Sequence, residues 1–385
     1  MALFADSFDY EKFLRRYWQQ RPLLIRSSGK FVDPIDPQHL AGLACEAQVE
    51  SRLVRRRGKS TWSLQHGPLT ASDFTRLGRQ DWTLLVQAVD LWWPPLQAIL
   101  QDFRFLPSWR IDDVMVSFAT RGGGVGPHFD YYDVFLIQGQ GSRRWQLGAR
   151  CDDQTPLRQN TDLKLLQEFA AQQEYILTPG DMLYVPPGIS HHGVSLDDSL
   201  CYSVGFRAPS TQEMLQGFSD RVADQFSPDQ RFVDTIKTPV PHSGELTPEM
   251  LQTSYGAMLK ALGNKQQFMD WLGSYSTMPK YPELLSPRGK ALSETGFQQA
   301  LDRGQDLTRN PLSRFAFAKA GKSLMLYVDG ECFPCSMRSA ALVKQLCNPA
   351  CTSLVLSAAQ RRNKSLLELL LTLVNQGSLK LKHGR

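Results

Sequence analysis

The sequence predicts an α+β protein of three modules, which we place at residues 1–208, 209–304 and 305–385. The first module contains runs of β-forming residues separated by glycine- and proline-rich turns. After Pro209 the spacing of apolar residues changes from two to nearly four, which indicates helices. From about Asp306 short helix and strand signals follow one another. A length of 385 residues also exceeds that of one ordinary domain.

The clearest strand signals lie in the second half of the first module. Met182 to Val185 is an apolar run enclosed by two turns that contain proline and glycine. Upstream, Tyr132 to Gln138 and Ser142 to Leu147 are rich in β-forming residues, and Gly139-Gln140-Gly141 joins them. We interpret these two runs as a hairpin. In the second run, Arg143, Trp145 and Leu147 share one face, whose apolar members can look into a barrel.

Helix start signals open the second module. Ser210 and Glu213 have the spacing of a capping box, and Thr247-Pro248 predicts another helix start. Each start precedes an apolar stripe: Met214, Leu215, Phe218, Val222 and Phe226 in the first case, and Leu251, Tyr255, Met258, Leu259 and Leu262 in the second. Such stripes need a partner surface, which is either a small bundle within one chain or a symmetric dimer of two chains.

The third module has the order of elements that is typical of a winged helix. We predict a helix from about Asp306, then a strand, a turn, two helices and a closing strand. The strand covers Ser323 to Val328, the turn is Asp329-Gly330, one helix starts at Met337, and the next runs through Leu366 to Val374. Winged helices often read DNA through a basic helix, but Ala340 to Leu346 offers only Lys344. A structural or protein-binding role is therefore favoured over DNA binding.

Two histidines and an aspartate predict a metal site in the first module. His128 and Asp130 close a glycine-rich run, and alternate residues of a strand share a face, so both can bind one ion. His191 lies three residues after Gly188, where a Pro-Pro-Gly turn ends the apolar strand. His192 would face the opposite way in an extended segment, so His191 is the predicted ligand. Two imidazoles and one carboxylate leave three coordination positions open, which suits non-haem Fe(II) and oxygen chemistry.

Arg143 is the second candidate site residue. It shares a strand face with Trp145 and Leu147, so an apolar interior would carry the guanidinium inside with them. An unpaired cation is costly there, and an anionic partner is expected. The alternative is that Arg143 and Arg144 are a solvated basic pair. Beside the predicted metal site, we favour an anchor for a dicarboxylate.

Several segments of the chain match those of a known family. Gly180, Pro186, Gly188 and His191 fit the second motif of cupins. The other matching segments are Gly122 to Asp130, Tyr132 to Phe135, Ile137 to Gly139, Arg143 to Trp145, Asp181 to Gly188 and Tyr202 to Pro209, together with Phe13 to Trp18 and Arg21 to Ile25. On these residues the chain resembles JmjC-type 2-oxoglutarate oxygenases of the ribosomal oxygenase group, and in particular bacterial arginine hydroxylases of a large-subunit ribosomal protein.

The resemblance implies a double-stranded β-helix, the cupin/JmjC jelly roll, for residues 1–208, a dimerisation role for 209–304 and a winged-helix-like domain at 305–385. It implies that His128, Asp130 and His191 bind Fe(II), and that Arg143 holds the far carboxylate of 2-oxoglutarate where many relatives have lysine. The implied reaction oxidises this cosubstrate to succinate and carbon dioxide and hydroxylates a substrate carbon. A homodimer is also implied.

Composition and charge limit the other classes of function. An apolar share of 42% supports a sizeable core. Asp6, Asp9 and Glu11 near the start are unlike a secretory signal, and the apolar stretch Leu366 to Val374 is too short for a bilayer and contains Glu368. We therefore expect a cytoplasmic protein without a membrane partner. A net charge of +5 does not mark the whole chain as a nucleic-acid binder.

Two local clusters leave alternatives open. Arg52, Arg55, Arg56, Arg57 and Lys59 form a basic strip without interleaved aromatic residues, so a solvated face is favoured over an RNA surface. The seven cysteines indicate reduced thiols, since their number is odd. Among them, Cys332, Cys335, Cys347 and Cys351 either hold zinc or are simple buried hydrophobes, and the second interpretation is favoured.

Three functions remain possible on the sequence alone. The first is hydroxylation of an arginine in a large-subunit ribosomal protein. The second is the same chemistry on another target, such as a histidine, a methylated side chain or transfer RNA. The third is a non-catalytic cupin that regulates transcription through its C-terminal module. The intact set of predicted metal ligands, the triad of His128, Asp130 and His191, argues against it. The sequence does not identify the side chains that contact the substrate.

Overall fold

The computed structural model describes residues 3–58, 61–159, 161–234, 236–349, 351 and 353–383. Lys59, the last member of the basic strip, lies outside these residues. The chain folds as two compact units, Met1–Ala208 and Pro209–Arg385. The predicted boundary between residues 304 and 305 falls inside the second unit and stays a prediction.

The first unit is rich in strands. They are β1 Leu23–Ile25, β2 Ser51–Arg57, β3 Thr61–His66, β4 Trp82–Val86, β5 Ile111–Ala119, β6 Val134–Gln138, β7 Arg143–Arg150, β8 Gln173–Leu177, β9 Met182–Val185, β10 Ile189–Ser195 and β11 Ser199–Phe206. Short helices occupy the N-terminal half: α1 Tyr10–Arg16, α2 Pro37–Leu43, α3 Ala71–Thr75, α4 Val89–Trp92 and α5 Gln97–Gln101, with 3₁₀ turns at Pro94–Leu96 and Ser108–Arg110. The predicted strand from Met182 to Val185 is confirmed.

Two antiparallel sheets build this unit. The large sheet has eight strands in the order β1-β9-β6-β11-β5-β4-β2-β3, and the small sheet has the order β10-β7-β8. Apolar side chains from both sheets form a shared core, which includes Leu136 of β6, Trp145 of β7 and Leu183 of β9. A second, larger core cluster packs the opposite face of the large sheet against the N-terminal helices. This two-sheet architecture is the predicted jelly roll.

The predicted hairpin between the runs at 132–138 and 142–147 was wrong. β6 pairs with β9 and β11 of the large sheet, whereas β7 pairs with β8 and β10 of the small one. The intervening loop therefore carries the chain from one sheet to the other, and Gly141 adopts a φ of +61° there. A Cβ on Gly139 would lie 2.6 Å from the ring of Tyr202. Partners distant in sequence, which a local pattern does not reveal, decide this pairing.

The second unit combines helices and two small sheets. Its helices are α6 Thr211–Ala223, α7 Pro248–Leu262, α8 Lys265–Thr277, α9 Glu294–Asp302, α10 Ala340–Leu346, α11 Ala358–Arg361 and α12 Lys364–Asn375, with 3₁₀ turns at Pro282–Leu284 and Met337–Ser339. Its strands are β12 Gln305–Arg309, β13 Phe315–Ala320, β14 Ser323–Val328, β15 Glu331–Ser336 and β16 Leu379–His383. β12 pairs with β16, and β13, β14 and β15 form the other sheet.

Most local signals of this unit are confirmed. The capping box joins Ser210 to Glu213, Thr247 caps α7, and the strand at Ser323 to Val328 has the predicted bounds. The helix expected from about Asp306 was wrong, because β12 and β13 occupy that segment. Long-range pairing with β16 and β14 overrides the local preference there.

Helix α8 connects the helical part of this unit to its sheet. The Tyr327 hydroxyl of β14 donates to Asp270 at 3.2 Å, and a Cβ on Gly273 would lie 2.4 Å from the Tyr327 ring. On its other side, Trp271 packs with Phe218 and Val222 of α6. Segments from two of the predicted modules therefore share one packed body.

No helix within the described part of the chain combines the length and the apolar character that a membrane crossing requires.

Candidate active site

His128, Asp130 and His191 come together in the first unit. Their possible ligand atoms all lie within 4.8 Å of one another, and Nε2 of His191 is 3.6 Å from Oδ2 of Asp130. Within the described residues this is the single group of three or more histidine, cysteine or acidic side chains so arranged. The geometry therefore supports the predicted metal site.

The backbone holds the two histidines in register. His191 lies on β10, and its N–H donates to the carbonyl of His128 at 2.8 Å, while the N–H of His128 donates back at 3.1 Å. The regular strand expected for residues 128–130 is absent, since His128 forms only this isolated bridge. Gly126, with a φ of +90°, turns the chain just before it. A loop also braces this segment, because the N–H of Leu166 donates to the carbonyl of Pro127 at 2.9 Å.

Both imidazoles have one nitrogen engaged by a backbone carbonyl. Nδ1 of His128 is 3.0 Å from the carbonyl of Gly126, and Nδ1 of His191 is 3.0 Å from that of Ile189. This pairing fixes the tautomer that leaves Nε2 free for a ligand bond. Burial and the nearby His128 lower the pKa of His191 to about 4, so its ring is neutral at neutral pH. A neutral imidazole is the form that binds metal.

His192 does not join this group. It pairs with Gln146 and is half-buried on the other face of β10, where its ring meets Phe169 edge-on at 6.0 Å. His191 and His192 therefore lie on opposite faces of β10, as the alternation of side chains along a strand predicts.

Arg143 is buried inside the barrel, with 6% of its surface exposed. Register places the inward residues of β7 and β10 in three layers: Leu147 opposite His191, Trp145 opposite Gly193, and Arg143 opposite Ser195. Four hydrogen bonds hold the guanidinium, and all of them go to the hydroxyls and carbonyls of Ser117 and Ser199. Burial lowers the pKa of Arg143, since no carboxylate contacts the guanidinium in the described structure. The solvated alternative was wrong.

Three residues that the sequence analysis did not single out lie near the triad. Burial and the carboxylates of Asp130 and Asp113 raise the pKa of the Tyr132 phenol, so its hydroxyl lies near both. Asp113 is 3% exposed and accepts a hydrogen bond from Gln87 at 2.7 Å. Gly205 lies opposite Asp113 in the sheet and adds no side chain to the space beside it. No local motif marks Asp113, because it lies within an ordinary strand.

The other sequence candidates are the cysteine cluster and the basic strip. The four cysteines from Cys332 to Cys351 are not arranged as a metal-binding group in the described structure. Burial raises the pKa of the Cys347 thiol to about 12, as expected of a packed hydrophobe. In the basic strip, Arg55 donates to Gln65 at 2.9 Å and Arg56 to Asp81 at 2.5 Å.

Comparison with known proteins yields two family matches and several relatives. A JmjC domain matches residues 98–214, and a ROXA-like winged helix matches residues 257–380. The ribosomal protein uL16 3-hydroxylase of Escherichia coli is 38% identical over 327 residues, which cover 84% of this chain and 85% of the relative. A probable ribosomal oxygenase of Haemophilus influenzae is 36% identical over 265 residues, covering 67% and 65% of the two chains.

Solved structures agree with these matches. The crystal structure of Escherichia coli YcfD superposes with a TM-score of 0.88 at 35% identity, covering 99% of this chain and 100% of that one. YcfD in complex with cobalt and 2-oxoglutarate superposes with a TM-score of 0.82 at 34% identity, covering 98% and 99%. The predicted jelly roll and winged helix are confirmed. The chain belongs to the JmjC-domain oxygenases of the ribosomal oxygenase group.

Proposed function

We propose that this oxygenase uses Fe(II) and 2-oxoglutarate to hydroxylate an arginine side chain of a large-subunit ribosomal protein. The proposal rests on the convergence of His128, Asp130 and His191 in the same barrel as the buried Arg143, whose guanidinium contacts no carboxylate among the described residues. A relative of 38% identity is a uL16 3-hydroxylase, and a structural neighbour holds cobalt and 2-oxoglutarate. Since ribosomal proteins are the proposed target, the enzyme would act in the cytoplasm.

The side chains of the triad fit Fe(II). Two neutral imidazoles and one carboxylate suit this ion and leave positions open for other ligands. When bound, the ion would supply activation of oxygen together with oxidative decarboxylation of the cosubstrate. The task of His128, Asp130 and His191 is to hold it at a fixed place, with tautomers set by the carbonyls of Gly126 and Ile189.

Arg143 fits the far carboxylate of 2-oxoglutarate. Arg143 lies two inward positions along β7 from Leu147, the residue opposite His191, so these backbone positions are about 13 Å apart along the strand. A dicarboxylate that reaches from the triad toward Arg143 would supply the anion that this buried cation lacks. The hydroxyls of Ser117 and Ser199 orient the guanidinium in advance.

The choice of arginine as the target rests on Asp113 and Tyr132. A buried carboxylate beside the triad favours a cationic substrate side chain, because the pairing offsets the desolvation of both groups. The aromatic ring of Tyr132 offers a flat surface on which a guanidinium can stack. The absence of a side chain at Gly205 leaves room next to both residues.

The test is direct incubation. The purified enzyme, Fe(II), 2-oxoglutarate and ribosomal protein uL16 should yield one added oxygen on an arginine, located by fragmentation mass spectrometry. The variant Asp113→Asn should lower hydroxylation roughly 10- to 100-fold, as for a lost hydrogen bond to a charged group, and leave the affinity for 2-oxoglutarate unchanged. Unmodified arginine under verified metal loading would contradict the proposal, whereas oxygen on a histidine would support the alternative target.

We also propose a homodimer formed through residues 209–304, followed by a winged-helix-like domain at 305–385. Helix α7 contributes no buried residue to its unit. Its apolar stripe is exposed, with Leu251 at 55%, Tyr255 at 61%, Met258 at 61% and Leu259 at 51%. An apolar face of this kind marks an interaction surface, and a second copy presents the same face.

The dimer is tested by charging this face. The double variant Tyr255→Glu/Met258→Glu should sediment as one chain of 43.5 kDa, and the wild type as two. The matched control is Ala257→Glu, an exposed position on the opposite face of the same helix, which should leave the dimer intact. A wild type that sediments as one chain at micromolar concentration would contradict the proposal.

A further inference from the structure

Trp145 carries a buried polar group that the protein leaves without a partner. The side chain is 6% exposed, and its indole Nε1 has no hydrogen-bond acceptor in the described structure. Buried N–H groups in native proteins are nearly always paired with protein, water or ligand. An unpaired one inside the barrel is therefore available to an acceptor that enters the pocket.

The position of Trp145 limits what that acceptor is. Its layer lies between the layer of Arg143 and Ser195 and the layer of Leu147 and His191. Its ring centroid is 6.0 Å from that of His191. A Cβ on Gly193 would lie 2.7 Å from the ring carbons, so the glycine lets the indole lie against β10. The indole therefore lies along the path from the triad to the guanidinium.

The donors of Arg143 are largely used within the protein. Arginine has five N–H groups, and four hydrogen bonds to Ser117 and Ser199 engage Nε, Nη1 and both hydrogens of Nη2. One N–H, on Nη1, is left for a ligand. A carboxylate has more acceptor sites than this single N–H serves, so it needs a second donor from the same pocket.

We propose that Trp145 is a cosubstrate-binding residue whose indole N–H donates a hydrogen bond to a carboxylate oxygen of 2-oxoglutarate. The inference rests on the proposed function, because it places this dicarboxylate between the triad and Arg143. Trp145 and Arg143 then share the recognition of the acid: the guanidinium supplies charge, and the indole supplies a fixed neutral donor. Two side chains that neighbour each other on the inward face of β7 thus bind the cosubstrate.

The first test compares Trp145→Phe with Trp92→Phe. Phenylalanine keeps an aromatic ring and removes the N–H, and Trp92 is a matched control because its Nε1 also lacks a partner in the described structure but lies on α4. Affinity for 2-oxoglutarate is measured by calorimetry with Zn(II), which is redox-inert. We expect Trp145→Phe to bind roughly 10- to 100-fold more weakly and Trp92→Phe to bind as the wild type does. Without the cosubstrate, the melting temperatures of both variants should stay close to that of the wild type.

The second test observes the indole N–H directly. The chain has eight tryptophans, so its ¹⁵N spectrum shows a small set of indole signals. Adding 2-oxoglutarate to the Zn(II) protein should shift one of them downfield, and Trp145→Phe should remove that signal. If this variant does not fold, replacing the other seven one at a time assigns it by elimination.

The outcomes separate the two proposals. Wild-type protein that binds no 2-oxoglutarate with Zn(II) overturns the proposed function and this inference with it. Wild-type protein that binds, with an unmoved Trp145 signal or equal affinity in Trp145→Phe, overturns the inference alone.

Discussion

Replacing His191 by alanine is expected to abolish turnover of 2-oxoglutarate and to lower the affinity for Fe(II) by more than ~100-fold. Loss of a group that only orients a metal ligand costs about 10- to 100-fold in affinity, and loss of the ligand itself costs more. His191 is buried and already held by the backbone of Ile189 and His128, so neither solvent nor a neighbour replaces it. Anaerobic titration with Fe(II) and measurement of succinate release test this expectation.

His192→Ala is the matched control. This residue differs from His191 by one position but lies on the opposite face of β10, against Phe169. The variant His192→Ala should keep both its metal affinity and its rate of succinate release within about twofold of the wild type, because substitutions that do not touch a site usually have small effects. The assignment of His191 would be refuted by the reverse pattern, in which His192→Ala loses the metal and His191→Ala retains it.

Arg143→Met is expected to separate ligand affinity from stability. Removing one partner of a buried, hydrogen-bonded charge pair costs about 2–5 kcal/mol, so the affinity for 2-oxoglutarate should fall at least ~30-fold. Without the cosubstrate, the free energy of unfolding should change by no more than about 1 kcal/mol, because removal of a desolvated cation offsets the loss of its hydrogen bonds to Ser117 and Ser199. Calorimetric titration and urea unfolding give the two quantities.

Arg143→Lys is the conservative companion to this variant. Lysine keeps the charge but lacks the planar fork that spans Ser117 and Ser199, so an intermediate affinity is expected. If Arg143→Met destabilised the cosubstrate-free protein by more than about 2 kcal/mol, the guanidinium would be supporting the fold rather than awaiting a ligand.

The sequence predicted correctly those elements that depend on residues close to one another in the chain. The strand at Met182 to Val185 and the caps at Ser210 and Thr247 follow from residues within a few positions of each other. The partner of β6 depends on β9 and β11, tens of residues away, and the same glycine-rich loop is compatible with a hairpin or a change of sheet. The two strands found after Asp306 likewise depend on distant partners.

The same distinction between local motifs and contacts made by folding applies to the residues of the active site. His128, Asp130 and His191 belong to short motifs with fixed spacing, and Arg143 is adjacent to a recognisable pattern, so the sequence could point to all four. Tyr132 is only two residues from Asp130, whereas Asp113 lies on β5 and reaches this region only through the folding of the sheet. The unpaired N–H of Trp145 is a property of packing, which no spacing of residues expresses.

The reciprocal backbone hydrogen bonds between His128 and His191 have a consequence for how the enzyme gains and loses its ion. They join two histidines 63 positions apart through atoms that do not bind metal. Chelation would therefore strip the ion without melting the scaffold around it, unlike in small zinc modules that unfold when emptied. The metal-free enzyme should regain activity as fast as Fe(II) diffuses in and loses its water ligands, with no delay for refolding. The cell could therefore reload the enzyme with iron after oxidative inactivation without making new protein.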